Sequence, residues 1–91
     1  MGFQYEAHRI YSTNEAGELL AEITFPMVGD HVEINHTFVS DQLRGQGVAS
    51  QLVKAAIDTI RNNGWHCIAT CSYAKAWLDK HVEEQDVLVK K

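Results

Sequence analysis

Two glycines flank one glutamine at residues 45–47, directly before an apolar pattern typical of a helix. A helix N-terminus leaves backbone N–H groups without partners and carries a partial positive charge. Glycine permits unusual backbone dihedral angles and lets a ligand approach the chain closely. Gly45 and Gly47 therefore predict an anion site, usually for phosphate, although a tight turn without a ligand would use the same residues.

The familiar nucleotide loops do not fit this segment. A Walker loop ends in Gly-Lys-Ser/Thr, and the chain contains no such sequence. A Rossmann fingerprint has a third glycine where this chain has Ser50, and it normally opens the first β-α-β unit. Both nucleotide-binding interpretations are therefore disfavoured.

Two thiols, Cys67 and Cys71, are four residues apart in a strand-like segment. Their Cα atoms would lie roughly 13 Å apart in an extended chain, which is beyond the reach of a disulfide. Their spacing also differs from that of a zinc ribbon. We therefore expect reduced thiols and no metal site.

The elements that position these residues follow from hydrophobic periodicity. Three strand-like segments, 5–12, 18–28 and 31–39, predict an antiparallel meander, and the third would place Val32, Ile34, His36 and Phe38 on one face. The next segment has one apolar stripe typical of an amphipathic helix, formed by Ala49, Leu52, Val53, Ala56, Ile57 and Ile60. Residues 65–71 predict a buried strand. Residues 72–81 predict a second helix with Ser72 as N-cap.

The predicted order is therefore β-β-β-α-β-α, a mixed α/β (α+β) fold. Its β-α-β crossover makes the third and fourth strands parallel. The tail from residue 83 is expected to add a last strand or to lie over the surface. A chain of 91 residues predicts a single domain, residues 1–91, and one small core makes a monomer the expected state.

Composition excludes several classes of function. The net charge of −4 argues against nucleic-acid binding, and the longest apolar run is far shorter than a membrane span. The N-terminus lacks a signal-peptide pattern, so a cytoplasmic protein is expected. The first half of the chain is acidic and the second half basic, which favours a cation on the former and an anion on the latter. Accidental surface charge is an equal alternative.

The sequence Gln42-Leu43-Arg44-Gly45-Gln46-Gly47 resembles the Gln/Arg-x-x-Gly-x-Gly/Ala motif of the GNAT superfamily of N-acetyltransferases. Residues 35–57 and 68–81 also resemble the two signature blocks of its compact, YjdJ-type branch, built around a His-Thr and a Cys-Ser pair. The resemblance implies a minimal GNAT-like fold with acetyl-CoA as co-substrate and an amine as acceptor. It further implies that the third and fourth strands splay apart around the pantetheine arm.

By this resemblance, the loop would hold the pyrophosphate and the adjacent strand would pair with pantetheine. The implied coenzyme-binding residues are Phe38, Val39, Gln42, Arg44, Gly45, Gln46, Gly47, Val48, Ala49, Ser72, Tyr73 and Lys75. For Arg44, a solvated surface role is an equal alternative, and Tyr73 also suits packing.

The resemblance makes Cys71 the leading catalytic candidate, as a thiolate nucleophile or as an acid for the leaving thiol. A small buried apolar role is its alternative. His36 is the candidate base, although a core histidine would show the same pattern. Relatives often have Asp immediately before this histidine, whereas this chain has Asn35.

Three functions therefore compete. The first is an acetyl-CoA-dependent N-acetyltransferase acting on a small-molecule amine, a lysine or an N-terminal amine. The second is a non-catalytic module that senses acetyl-CoA, and the third is a redox sensor centred on Cys71. The acidic first half favours a cationic acceptor.

Overall fold

The structure, a computed structural model, describes residues 2–43 and 45–89. It contains strands β1 (Gln4–Glu6), β2 (Arg9–Thr13), β3 (Leu19–Thr24), β4 (Met27–Val28), β5 (His31–Ile34), β6 (His36–Val39) and β7 (Cys67–Ala69). The α-helices are α1 (Val48–Asn62) and α2 (Ser72–Lys80), and short 3-10 helices span Asp41–Leu43 and Val82–Val87. The predicted mixed α/β class is confirmed.

The strands form two sheets. One has the order β1-β2-β3-β6 and is antiparallel throughout, whereas the other has the order β4-β5-β7. In the second sheet β5 and β7 are parallel, with Val32 opposite Cys67 and Ile34 opposite Ala69, so the predicted parallel pairing is confirmed.

Each predicted N-terminal strand is divided into two, which corrects the strand count. A turn at residues 7–8 separates β1 from β2, and Phe25 and Pro26 separate β3 from β4. Because proline has no N–H to donate to a ladder, the long strand predicted over residues 18–28 is interrupted there.

The third predicted strand is divided at Asn35 by an irregularity in register. Thr24 lies opposite His36 and Met27 lies opposite Val32, so two residues on one strand face three on the other. This is the geometry of a β-bulge, and one extra residue exchanges the two faces of the strand beyond it.

The exchange changes which side chains are buried. Val32 and Ile34 are buried, but His36 and Phe38 are exposed, and Thr37 and Val39 are partly buried instead. The prediction that Val32, Ile34, His36 and Phe38 share one face is therefore wrong beyond Ile34. Alternation alone cannot reveal an inserted residue.

Helix α1 covers the core. Its predicted apolar stripe is confirmed, except that Ala49 is only partly buried and Val48 is buried. A fully buried Leu or Ile side chain contributes about 1.5–3 kcal/mol. The stripe packs with buried residues of the sheets and of α2, including Ile10, Ala21, Ile23, Phe25, Ala74, Trp77 and Leu78.

The tail closes the edge of the second sheet. After its 3-10 helix, Leu88 forms a parallel bridge with Cys67, and the Val89 N–H donates to the Cys67 carbonyl at 2.9 Å. Ion pairs of Lys54 and Arg61 with Glu84, and of Arg61 with Asp86, connect this helix to α1. Among the residues described, no helix is long and apolar enough to cross a membrane.

Candidate active site

The glycine turn before α1 has a backbone that other residues adopt only with strain. Gly45 and Gly47 have φ of 80° and 71°, in the left-handed region. Gly47 is the N-cap of α1, and no side chain caps this end of the helix. A cavity of about 200 Å³ opens here, lined by Val39, Leu43, Gly45, Gly47, Val48 and Ala49.

This turn leaves the N-terminus of α1 open to an anion. An uncapped helix N-terminus offers backbone N–H groups and a positive dipole to an anion. An added Cβ at Gly45 or Gly47 would meet nothing within 4 Å, so the turn is open on the side where these side chains would point. Positive φ, rather than crowding inside the protein, is therefore the reason for glycine.

The other candidates in the loop are Gln42, Gln46 and Arg44, and the backbone N–H groups of the first two have partners inside the protein. Gln42 is exposed in the 3-10 helix, and its N–H lies 3.3 Å from the Ser40 hydroxyl oxygen. The Gln46 N–H donates to the Leu43 carbonyl at 3.3 Å, so it closes the turn. Arg44 lies outside the described residues.

Strand β6 precedes the glycine turn in the chain. One of its edges pairs with β3, and its other edge has no strand partner among the described residues. The Ser40 N–H just beyond the strand donates to the Leu20 carbonyl at 2.7 Å. Because main-chain groups alternate in direction along a strand, the N–H groups of Val39 and Thr37 point to the other edge.

The predicted separation of the strands is present at that edge. Beyond Ile34 the pairing of β5 with β7 ends, and the N–H groups of Thr70 and Cys71 both donate to the Ile34 carbonyl, at 3.0 and 3.1 Å. The chain then enters α2, while β6 continues in the other sheet. Strands β6 and β7 therefore do not pair, and we call the space between them the gap. Cys71 lies at the end of this gap that is next to Thr37.

Cys71, rather than Ser72, is the N-cap of α2, which corrects the predicted cap by one residue. Its Sγ lies 3.4 Å from Thr37 Oγ1. No cap hydrogen bond from a backbone N–H to Sγ is formed, although the first amides of the helix lie close enough to act on it electrostatically.

These neighbours decide the ionisation of the thiol. Partial burial raises the pKa of Cys71, but the Thr37 side chain and the backbone N–H groups of Ala74, Tyr73 and Thr37 together outweigh it, and the net pKa is lowered. Cys67 is fully buried without such donors, and burial raises the pKa of its thiol to about 11. We therefore expect Cys71 to be the more reactive of the two thiols.

His36 lies on the other face of β6. Its Nε2 is 3.3 Å from Glu22 Oε1, and its side chain is 51% exposed. Glu22 is held in turn by the Arg9 guanidinium. Because Thr37 faces Cys71, the adjacent His36 points away from it, and the structure does not bring this imidazole to the thiol.

The three α2 candidates are all exposed, and none of them lines the cavity at the glycine turn. Ser72 and Tyr73 are exposed in the first turn of α2, next to Cys71. Lys75 lines a separate groove with Ile68, Ala69, Leu78, Asp79, Leu88 and Val89, so it does not face the cavity at the glycine turn.

Two residues of the site escape sequence reasoning. Thr37 contacts Cys71 from 34 residues away, and Glu22 supplies the carboxylate beside His36 that Asn35 cannot. The His-Thr pair was a signal for Thr37. Glu22 gave no signal, because only the register of β3 against β6 places it there.

A sequence profile of the GCN5-related N-acetyl-transferase family matches residues 9–87. The chain belongs to this family. The GCN5-related N-acetyltransferases use acetyl-CoA as co-substrate, which agrees with the open glycine turn. The finer assignment to the YjdJ-type branch stays a prediction.

Two proteins are similar to this chain in sequence. The solution structure of a GCN5-like protein from Staphylococcus aureus is 38% identical, with a TM-score of 0.77 over 99% of this chain and 89% of that one. Protein NATD1 of Gallus gallus is 35% identical over 65 residues, which are 70% of this chain and 56% of the chicken protein. The chain thus matches only about half the length of this curated relative.

A more distant structure shows the fold alone. The ribosomal-protein-alanine N-acetyltransferase of Brucella melitensis is 13% identical, with a TM-score of 0.58 over 91% of this chain and 64% of that one. The chain therefore shares its arrangement of sheets and helices with that structure.

Proposed function

We propose that this protein is an acetyl-CoA-dependent N-acetyltransferase that moves an acetyl group to an amine, assisted by Cys71. The observation that carries the proposal is the course of β6. Val39 lines the cavity at the glycine turn, and Thr37, two residues away, contacts Cys71. One open strand edge therefore connects a candidate pyrophosphate site to an activated thiol.

The residues of the loop and of β6 would bind and orient the co-substrate. The amides at the start of α1, at Val48 and Ala49, would hold the pyrophosphate, with the backbone of Gly45 and Gly47 around it. The open edge of β6, near Phe38 and Val39, would pair with the pantetheine arm. The co-substrate supplies the thioester whose carbonyl carbon accepts the amine.

Cys71 has two candidate roles at its end of the gap. As a thiol, it would donate its proton to the departing coenzyme sulfur while the amine forms the new C–N bond. As a thiolate, it would attack the carbonyl carbon, release the coenzyme thiolate and carry the acetyl group as a thioester until the amine takes it. The lowered pKa favours the second role.

His36 is the candidate base for the amine, although its imidazole lies on the opposite face of β6 from Cys71. A neutral imidazole nitrogen accepts the proton that the amine loses as the C–N bond forms. Glu22 contacts Nε2, which leaves Nδ1 as the basic nitrogen. In both routes the amine attacks an acetyl carbon next to Cys71, so its proton would have to reach His36 through water around the strand rather than by direct contact.

Two measurements test this proposal. The melting temperature should rise with acetyl-CoA, because ligand at 100 times its dissociation constant adds about 2.7 kcal/mol. Acetyl transfer to an amine panel should fall sharply in Cys71→Ala while this thermal shift is retained. Unchanged turnover in that variant would remove Cys71 from the mechanism. No thermal shift at millimolar acetyl-CoA would refute the coenzyme site itself.

The panel also addresses the acceptor and the route. We expect cationic amines, such as polyamines and lysine side chains, to be preferred, and equal turnover of neutral amines would contradict this. Mass spectrometry after acetyl-CoA alone distinguishes the routes, because acetyl on Cys71 indicates the covalent one.

A coenzyme-binding module without turnover is the second candidate. It is favoured by the open face of β6, where Phe38 is 39% exposed and the His36 side chain is half exposed. Tight acetyl-CoA binding without transfer to any amine or peptide tested would favour this module over the enzyme.

A further inference from the structure

Thr37 is the side chain that the fold brings to the candidate catalytic thiol. Its Oγ1 lies 3.4 Å from Cys71 Sγ, across 34 residues of sequence. We propose that Thr37 is a positioning residue, whose hydroxyl holds the Cys71 sulfur at the end of the gap and hydrogen-bonds its thiolate. The catalytic consequence rests on the proposed function, whereas the contact and its effect on the thiol do not.

The bulge at Asn35 is the reason that Thr37 has this position. Residues one apart on a strand point to opposite faces. In β5 the even-numbered residues Val32 and Ile34 point inward. Without the extra residue this alternation would continue, and His36 would also point inward. The bulge reverses which residues point inward, so Thr37 faces the helices and His36 faces away from them.

The hydroxyl of Thr37 is also committed to this sulfur. Within the described chain, Cys71 Sγ is the one hydrogen-bond partner recorded for Oγ1. A hydroxyl both donates and accepts, so it accepts from the neutral thiol and rotates to donate to the thiolate. Hydrogen bonds to an ionised group are stronger than those to a neutral one, so this contact favours ionisation.

The remaining groups that act on the thiol are main-chain N–H groups. They belong to Thr37 on β6 and to Tyr73 and Ala74 in the first turn of α2. A substitution at Thr37 that keeps the backbone therefore removes only the hydroxyl contribution. Valine suits this purpose, because it has nearly the shape of threonine and lacks the oxygen.

The experiment is a pH titration of the thiolate ultraviolet absorbance, without coenzyme or acceptor. In Thr37→Val we expect the midpoint for Cys71 to move to higher pH, with the thiolate fraction at a fixed pH below both midpoints falling about tenfold. Thr37→Ser should titrate close to the wild type, because it keeps the hydroxyl. Cys67 ionises near its raised pKa of about 11 and does not obscure the transition.

Two results would overturn the inference. A midpoint in Thr37→Val equal to that of the wild type would show that the hydroxyl does not act on the thiol. A shift in Thr37→Ser as large as in Thr37→Val would show that side-chain volume is responsible. If Thr37→Val does not fold, Thr37→Ala removes the same hydroxyl with less bulk and is judged by the same criteria.

Matched variants assign the signal. Cys71→Ala should abolish the transition. Thr59→Val removes a hydroxyl that donates to the Ala55 carbonyl at 2.9 Å within α1, and it should leave the Cys71 midpoint unchanged. If the wild type transfers no acetyl group but Thr37→Val shifts the midpoint and Thr37→Ser does not, the proposed function fails and the role of Thr37 stands.

Discussion

Replacing Gly47 by alanine should separate the folding role of the glycine turn from its role in binding. Gly47 has φ of 71°, and a left-handed conformation costs a non-glycine residue roughly 1–2 kcal/mol. Each kcal/mol lowers the melting temperature of a domain this size by about 4–8 °C. Gly29 is a matched control, because its φ is 65° and an added Cβ there also meets nothing within 4 Å.

The two variants should therefore lose similar stability but differ in binding. If the backbone at position 47 of Gly47→Ala relaxes away from positive φ, the N–H groups at the start of α1 no longer point at the phosphate. The loss of one hydrogen bond to a charged group costs about 1.5–3 kcal/mol. The dissociation constant for acetyl-CoA should then rise at least tenfold. At a ligand concentration 100 times the wild-type constant, a tenfold increase reduces the stabilisation from about 2.7 to about 1.4 kcal/mol.

Thermal melts of the wild type, Gly47→Ala and Gly29→Ala, each with and without acetyl-CoA, measure both effects. Gly29→Ala should keep the full ligand-induced rise from a lower starting temperature. Equal ligand-induced rises in the two variants would refute the assignment of the α1 amides to the coenzyme. Wild-type stability of Gly47→Ala would refute the strain argument.

Three further predictions concern single contacts. Cys71 should be alkylated at neutral pH in the folded protein while Cys67, with a pKa raised to about 11, is spared, and peptide mass mapping would detect the reverse order. Trp77→Phe should cost about 1 kcal/mol by losing the 2.8 Å hydrogen bond from Nε1 to Ser50 Oγ, and a double-mutant cycle with Ser50→Ala should show coupling rather than additivity. Lys54 and Arg61 lower the pKa of Glu84, so the ionised carboxylate should stabilise the fold fully above the ordinary carboxylate pKa, and this stabilisation should be lost as pH falls through the lowered pKa. In Glu84→Gln the free energy of unfolding should therefore decrease less steeply at acidic pH, and a decrease as steep as in the wild type would contradict this.

Local sequence was sufficient for the elements with strong periodicity. The apolar stripe of α1 predicts its buried face because a helix repeats every 3.6 residues, and the glycine turn before it is evident from residue types alone. The parallel pairing of β5 and β7 follows from the helix between them. These features depend on neighbours along the chain.

The errors occurred where a single residue changes the register. Asn35 looks like any polar position of an alternating strand, yet the bulge there exposes His36 and turns Thr37 inward. Similarly, the N-cap of α2 is Cys71 rather than the better capping residue Ser72. Element bounds and bulges depend on which partner strand is met, and that information is not local.

The sequence by itself determined the kinds of chemistry available: a glycine turn before a helix, a thiol at the end of a strand and a histidine on the strand before it. The tertiary structure alone decided which of these groups meet. It placed Thr37 beside Cys71 and Glu22 beside His36, on opposite faces of one strand. The physical reason is that side-chain direction in a strand has a period of two, so one inserted residue reverses every contact that follows.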